Sequence, residues 1–420
     1  MFPQPGQNLL LNNRSWTIRR VRSAGGRKLE IEVMGGSPAA QGMTRRLNAL
    51  RYDDELFIEQ HRTGYWVGHL EQGWVEHEQG AGLVCKPATS FDLFDAHTRH
   101  PAGGKLKNEF SWSYSRAEKY KQCPRAYYYH YYAAWEGWQS SAPAPVKKAY
   151  LLKNLTDLSR WVGNLVHESI QYALAQLKSG RAIPENDLIE HMHSRAQTDF
   201  TDSQSGRYRQ KPNRFTGFQE HYYQTGPSKD TWQAAWSIAE ERLSTFLQST
   251  LYAHLRRQSP ATFLEIETLQ SFPVAQTKVW VQMDFARQEE DTIVIYDWKT
   301  GTVNDTAVQL QLGIYGLYAQ HTWPQAVKNG ALRGIVYGIA GDQTLEVDLN
   351  NDQLQETQTF IEASISQLKS LLLDPQNNLA EISRFPMIED LAICQQCQFK
   401  ELCGRDTQPN SSTPHPYRQD

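Results

Sequence analysis

A marked excess of charge of either sign is missing from this chain. Its 43 Lys and Arg stand against 46 Asp and Glu, a formal net charge of −3 over 420 residues. No global positive field draws in a polyanion, so any nucleic-acid surface has to be a local patch. Long apolar runs are absent too, and no window approaches the roughly 18 apolar residues of a membrane span. The opening stretch Met1–Trp16 has neither the basic nor the apolar region of a signal peptide, so a cytoplasmic protein without membrane contact is expected. No G-x-x-x-x-G-K-[ST] segment occurs, which excludes the phosphate loop of an ATP motor from this chain. There are no internal repeats. Cysteine is scarce, with five in all. In a cytosolic protein these are more often metal ligands or free thiols than disulfides.

What is present is an ordinary globular composition, 40% apolar and 21% charged, at a length that suits two or three domains. Tyrosine (20) and tryptophan (12) are abundant, which serves cores and interfaces as readily as base stacking. Residues 1–105 read as a small β-rich domain of unassigned role. There "WTIRRVRS" and "KLEIEV" alternate in polarity around "AGGR", as a hairpin does. Its Arg14, Arg19, Arg20 and Arg22 suggest a solvated basic face first and a docking module second. "HPAGGKLKN" marks a linker. Residues 109–405 then read as an α/β domain, helices packed on a small mixed sheet. It carries a helical insertion over about 185–258 and a cysteine cluster at 394–403. Residues 407–420 read as a disordered tail. "SWSYSRAEKYKQ" opens a helix with Ser115 and Glu118 spaced as a capping box, and Pro124 suits the first turn of a second helix.

The stretch "TIVIYDWKTG", Thr292–Gly301, is apolar but ends in two opposite charges. Period-2 alternation puts Ile293, Ile295, Asp297 and Lys299 on one face. A charged pair at the end of a buried face is costly unless something pairs with it. Both a salt bridge and a metal-binding carboxylate beside a phosphate-handling lysine meet that need. Upstream, "KVWVQMDFA" is separated from this strand by the polar "RQEED". A turn near Glu290 sets Asp284 opposite Asp297, about 5 Å away and close enough for both to hold one divalent ion. His167 lies on the amphipathic helix "WVGNLVHESIQYAL" with Gly163 one turn before it. "QLQLGIYGLY" places Gln311 and Tyr315 four apart on one helical face.

The ordered set Gly163 and His167, Asp284, Asp297-Trp298-Lys299-Thr300-Gly301, and Gln311 with Tyr315 resembles the RecB-type branch of the PD-(D/E)XK nuclease superfamily. Ser113, Ser115, Tyr120, Cys123 and Pro124 match that branch's opening S-x-S-x-x-x-x-Y-x-x-C-P segment. The resemblance covers roughly residues 110–405. It implies a restriction-endonuclease-like mixed sheet flanked by helices. His167, Asp284, Asp297 and the Trp298 carbonyl would hold Mg²⁺ or Mn²⁺, with Lys299 orienting the attacking water. Gln311 and Tyr315 would position DNA. Glu267 is an outer contact in this scheme, and Glu168 a weaker candidate.

Cys394, Cys397 and Cys403 form C-x2-C-x5-C, and Cys123 lies far upstream. By spacing alone, four thiolates suit zinc or a [4Fe–4S] cluster equally. The resemblance favours [4Fe–4S], since nucleases of the AddB type and the CRISPR-adaptation exonuclease place one cysteine before the core and three after it. Cys85 reads as a lone thiol. The expected function is a metal-dependent deoxyribonuclease acting on single strands or ends in repair, recombination or defence, alone or beside a separate helicase or CRISPR partner. The alternatives are a non-cleaving DNA-binding scaffold subunit of a helicase–nuclease complex, and a zinc-stapled protein unrelated to nucleic acid. Lys119, Lys121 and Arg125, and the loop holding Arg207, Arg209, Lys211 and Arg214, are the local basic patches, each as readily a solvated surface.

Overall fold

The computed structural model describes residues 3–11, 14–24, 28–35, 43–52, 55–60, 64–69, 75–77, 80–88, 108–226, 228–301, 305–329 and 331–405. The linker and tail read from the sequence fall largely outside them. The chain divides into two compact units, residues 1–107 with 175–181, and residues 108–174 with 182–420.

Among the described residues, the first unit has eight strands: β1 (Asn8–Leu11), β2 (Arg14–Ser23), β3 (Lys28–Gly35), β4 (Thr44–Tyr52), β5 (Glu55–Gln60), β6 (Gly64–His69), β7 (Val75–His77) and β8 (Gly80–Ala88). Neighbours pair antiparallel, and β1 also pairs in parallel with β8, so the sheet curls back on its first strand. Alternation drives this. In β3, Leu29, Ile31 and Val33 are buried with Ile18 and Leu56, while Glu30 faces out. A bulge between Ile18 and Arg20 leaves both Arg19 and Arg20 exposed. Arg20 stands opposite Glu32, Arg22 opposite Glu30, and Glu32 opposite Arg46 on the far side. Acids interleave the arginines, which makes this a mixed-charge solvated face.

The second unit contains helices α1 (Tyr114–Gln122), α2 (Pro124–Tyr128), α3 (Ala144–Lys153), α4 (Leu158–Lys178), α5 (Glu185–Gln204), α6 (Lys229–Gln248), α7 (Asp305–Thr322) and α8 (Asn351–Ser370). Its main strands are β9 (Phe263–Ile266), β10 (Leu269–Val274), β11 (Thr277–Gln282), β12 (Phe285–Glu289), β13 (Thr292–Lys299), β14 (Ala331–Gly338) and β15 (Gln343–Asp348). The central sheet has the order β9-β12-β13-β14-β15, with β13 and β14 parallel and the rest antiparallel. It is a mixed sheet, as expected. Ile293 and Ile295 of β13 enter a core with Leu312 of α7 and Ile361 of α8. On the opposite face the Trp298 ring packs edge-on against Phe246 of α6 and Tyr337 of β14. Two glycines let α7 lie tight on α8: a Cβ at Gly313 would collide with Thr357, and one at Gly316 with Leu354.

One local expectation is corrected. Ser113, not Ser115, caps α1: it is extended, and its side chain accepts from the Arg116 amide at 3.2 Å. The reason is that Ser111–Trp112 pairs with β11, so the chain must turn at residue 113. Residues 263–274 form two strands, β9 and β10, which belong to different sheets. The break falls at Glu267, whose φ of 48° is left-handed.

Candidate active site

Three acids meet at one level of the sheet. β9 and β12 pair with Ile266 opposite Phe285, and β10 and β11 with Leu269 opposite Gln282. Both strand pairs break at the same height, which sets Glu267 beside Asp284; the Glu267 amide donates to the Met283 and Asp284 carbonyls, each at 3.1 Å. β12 and β13 pair with Phe285 opposite Tyr296, so the next step along brings Asp284 level with Asp297. The Trp298 amide donates to Asp284 Oδ2 at 2.6 Å and locks that register.

α4 supplies the histidine. Asp157 caps its start, accepting from the Arg160 amide at 2.8 Å. Leu165, Val166, Ile170 and Leu174 bury its apolar stripe. His167 Nδ1 then lies 3.2 Å from Glu267 Oε1 and 3.4 Å from Asp284 Oδ1. Ligand atoms of His167, Glu267 and Asp284 fall within 4.8 Å of one another, the one such group among the described residues. Gly163, one turn earlier, faces Thr300: a Cβ there would meet Thr300 Oγ1 at 3.4 Å, an ordinary contact. Glu168 points elsewhere and lies 3.6 Å from Arg195 Nε.

The lysine is held by a chain of hydrogen bonds. Lys299 Nζ donates to Gln311 Oε1 at 2.8 Å, Gln311 Nε2 to Tyr315 Oη at 2.7 Å, and Tyr315 Oη to the Gln282 carbonyl at 2.8 Å. Lys299 Nζ also sits 2.6 Å from Asp297 Oδ2. That ion pair is nearly closed off from water, with the Asp297 side chain buried and Lys299 part-exposed. Gln311 and Tyr315, expected to face DNA, are thus engaged within the protein, and Tyr315 is buried.

The electrostatics of this group are strained by burial. Asp284 is pushed up to about 7, by burial first, with Glu267 and Asp297 adding repulsion against the pull of His167. Burial also raises Asp297, against the opposing effect of Lys299. Burial works to neutralise His167, but Asp284 and Glu267 outweigh it and hold its pKa well above the usual histidine value. Burial would raise Glu267; its contacts with His167 prevail and lower it. Two clustered carboxylates and a histidine, with the Asp297 charge alongside and outside that group, fit a divalent cation of the Mg²⁺ or Mn²⁺ kind. Glu267 is a closer member than the sequence suggested. The signal that could have found it is an acid in line with Asp284 and Asp297 across a third strand.

All four clustered cysteines line one groove of about 970 Å³, which also reaches Thr300 and Gly301. Cys123 caps α2, accepting from the Ala126 amide at 3.5 Å. Cys397 accepts from the Phe399 amide at 3.4 Å and Cys394 from Arg405 Nη1 at 3.2 Å. No three cysteine sulfurs among the described residues come within 4.8 Å of one another. Burial raises the Cys397 thiol and pushes Cys403 up to about 11. Nearby, Lys153 is lowered to about 8 by burial and by Arg116 and Lys119. Burial and Arg160 lower Lys119 too. Cys85 is a buried thiol of the first unit, raised to about 12 by burial.

Of the surface basic residues, Lys121 is exposed beside Glu118 at 3.9 Å, and Arg125 donates to the Phe385 carbonyl at 2.6 Å. Arg207 pairs with Asp202 at 2.6 Å, and Arg209 lies over the Tyr222 ring at 4.9 Å. No helix among the described residues is long and apolar enough to cross a membrane.

Acids gathered beside a lysine at the ends of adjacent inner strands could hold a divalent ion that polarises a phosphate. The family model of the PD-(D/E)XK nuclease superfamily matches residues 111–404, and the chain belongs to that superfamily. Its members are in general nucleases that use Mg²⁺ or Mn²⁺ and act on DNA. No curated protein is matched by the chain.

Proposed function

We propose that this protein is a deoxyribonuclease of the RecB/AddB-type branch, cutting single strands or ends, with a [4Fe–4S] cluster on Cys123, Cys394, Cys397 and Cys403. The observation that carries the nuclease reading is the rung of Glu267, Asp284 and Asp297 with His167 above it and Lys299 at its end. His167, Glu267, Asp284 and Asp297 would hold the divalent ion, with the Trp298 carbonyl at its edge. Such an ion supplies Lewis acidity at the phosphate and acidifies a bound water. Lys299, steered by Gln311, presents its ammonium where negative charge develops on the phosphoryl oxygens. Tyr315 stays protonated, because burial and the neighbouring Asp297 and Asp284 hold it well above the usual phenol value; it therefore serves as a fixed donor behind Gln311.

Two features support the cluster. Lys119 lines the cysteine groove and is disfavoured as a cation by burial, and ionised Cys397 and Cys123 offset that cost. All four thiols face one groove, as ligands of a single shared site must.

The test is one anaerobic preparation, divided. Half is analysed by absorbance and for iron and zinc; half is given end-labelled single-stranded DNA with Mn²⁺, Mg²⁺ or EDTA. Brown, iron-containing protein that cuts only with added metal is expected. A protein that binds DNA and never cuts would make it a scaffold, and a colourless zinc protein would overturn the cluster.

A further inference from the structure

Gln282 joins the two halves of the site. Its side-chain amide donates to Glu267 Oε2 at 2.9 Å, while its carbonyl accepts from Tyr315 Oη at 2.8 Å. The residue ends β11, one step from the break where Glu267 and Asp284 meet, and it is itself exposed. Glu267 has two oxygens with separate tasks. Oε1 faces His167 at 3.2 Å, and Oε2 is held by Gln282. His167 draws Oε1 inward, whereas repulsion between Glu267 and the Asp284 and Asp297 carboxylates favours turning the side chain toward solvent. A donor on its outer oxygen opposes that rotation.

We infer that Gln282 is a positioning residue for metal binding: by holding Glu267 Oε2 it aims Oε1 at the cation shared with His167 and Asp284. This rests on the reading of those residues as metal ligands. The chemistry needs an uncharged donor here. An amide satisfies one lone pair without bringing a cation to compete with the metal, and it leaves the other oxygen free to coordinate. Because Gln282 is exposed and its partner to Tyr315 is a main-chain carbonyl, changing its side chain removes the Glu267 contact alone. The Lys299–Gln311–Tyr315 chain keeps its anchor.

The experiment measures Mn²⁺ binding to the full-length protein by titration calorimetry, with the unfolding midpoint in chelator as a control on folding. Gln282→Met keeps the length of the side chain and deletes the donor. It is expected to weaken Mn²⁺ binding about tenfold, with an unchanged midpoint. In a Glu267→Ala background the same substitution should have no further effect, since its partner is gone. Wild-type affinity in Gln282→Met would overturn the inference, as would an equal loss in the Glu267→Ala background, which would mean that Gln282 acts by another route. Asp284→Ala separates the two levels. If it binds Mn²⁺ like the wild type, the ligand assignment itself fails; if it loses binding while Gln282→Met does not, only the role of Gln282 fails.

Discussion

The main-chain amide of Trp298 donates to the side chain of Asp284 at 2.6 Å, so the strand carrying Asp297 and Lys299 is fastened to the carboxylate of its neighbour. One oxygen of Asp284 is spent on structure, and the other faces His167 at 3.4 Å. Asp284 is thereby a fixed point from which the rest of the site is measured.

Removing the charges should separate activity from stability. Asp297→Asn and Lys299→Ala are expected to lower kcat on labelled single-stranded DNA by at least about 10²-fold. Because burial raises Asp297 against the pull of Lys299, ionising it in the metal-free fold is unfavourable. The unfolding midpoint of Asp297→Asn in chelator should equal or exceed that of the wild type. Retained cutting in either variant would remove these residues from the mechanism.

The metal-free protein should lose stability as pH rises. Asp284 keeps its proton to about 7 in the fold, whereas the unfolded chain releases it near 3.8. The native state thus binds more protons across that window, and stability falls with rising pH. His167 adds to this: its pKa is raised, so its contribution is full below about 6.5 and fades as pH climbs through the higher native value. Glu267 acts the other way only at acid pH, where its lowered group takes a proton. Added Mn²⁺ displaces these protons, so its stabilising effect should grow with pH. Midpoints at pH 5.5, 7 and 8.5, with and without Mn²⁺, test this. Asp284→Asn should flatten the slope.

Tyr315→Phe deletes the donor to the Gln282 carbonyl and the acceptor of Gln311. Lys299 then loses its alignment but not its charge. A fall in kcat of about tenfold is expected with little change in KM, while Mn²⁺ affinity stays as in the wild type. A change in metal affinity instead would place Tyr315 on the ligand side.

Cys394→Ala removes a thiol and leaves Arg405 without its sulfur partner. If the four cysteines share one cluster, iron content should drop to background and the unfolding midpoint should fall, since the link between Cys123 and residues 394–403 closes a very long loop. Unchanged iron with an unchanged midpoint would exclude Cys394 as a ligand.

Much of the site could be read along the chain. Two polar residues, Glu290 and Asp291, separate β12 from β13. With so short a turn, antiparallel pairing leaves little choice but to bring Asp284 level with Asp297. His167 and Lys299 were legible as functional groups because each is polar in an apolar period. Glu267 was harder, because "TFLEIETLQSFPV" carries the alternation of a single strand.

The sequence by itself determined which side chains share a face, since period-2 and period-3.6 alternation are local properties of the backbone. It also determined the order of the motifs and the pairing of β12 with β13. Only the tertiary structure decided that β9 and β10 part at Glu267 and β11 and β12 at Asp284, because β9 and β12 pair in one sheet while β10 and β11 pair in another. The same holds for Gln311 and Tyr315. Their spacing on α7 says that they are neighbours, but only packing of that helix against β13 and β11 directs them inward to Lys299 and Gln282. Contacts between residues far apart in the chain depend on how layers stack, and no local pattern records that.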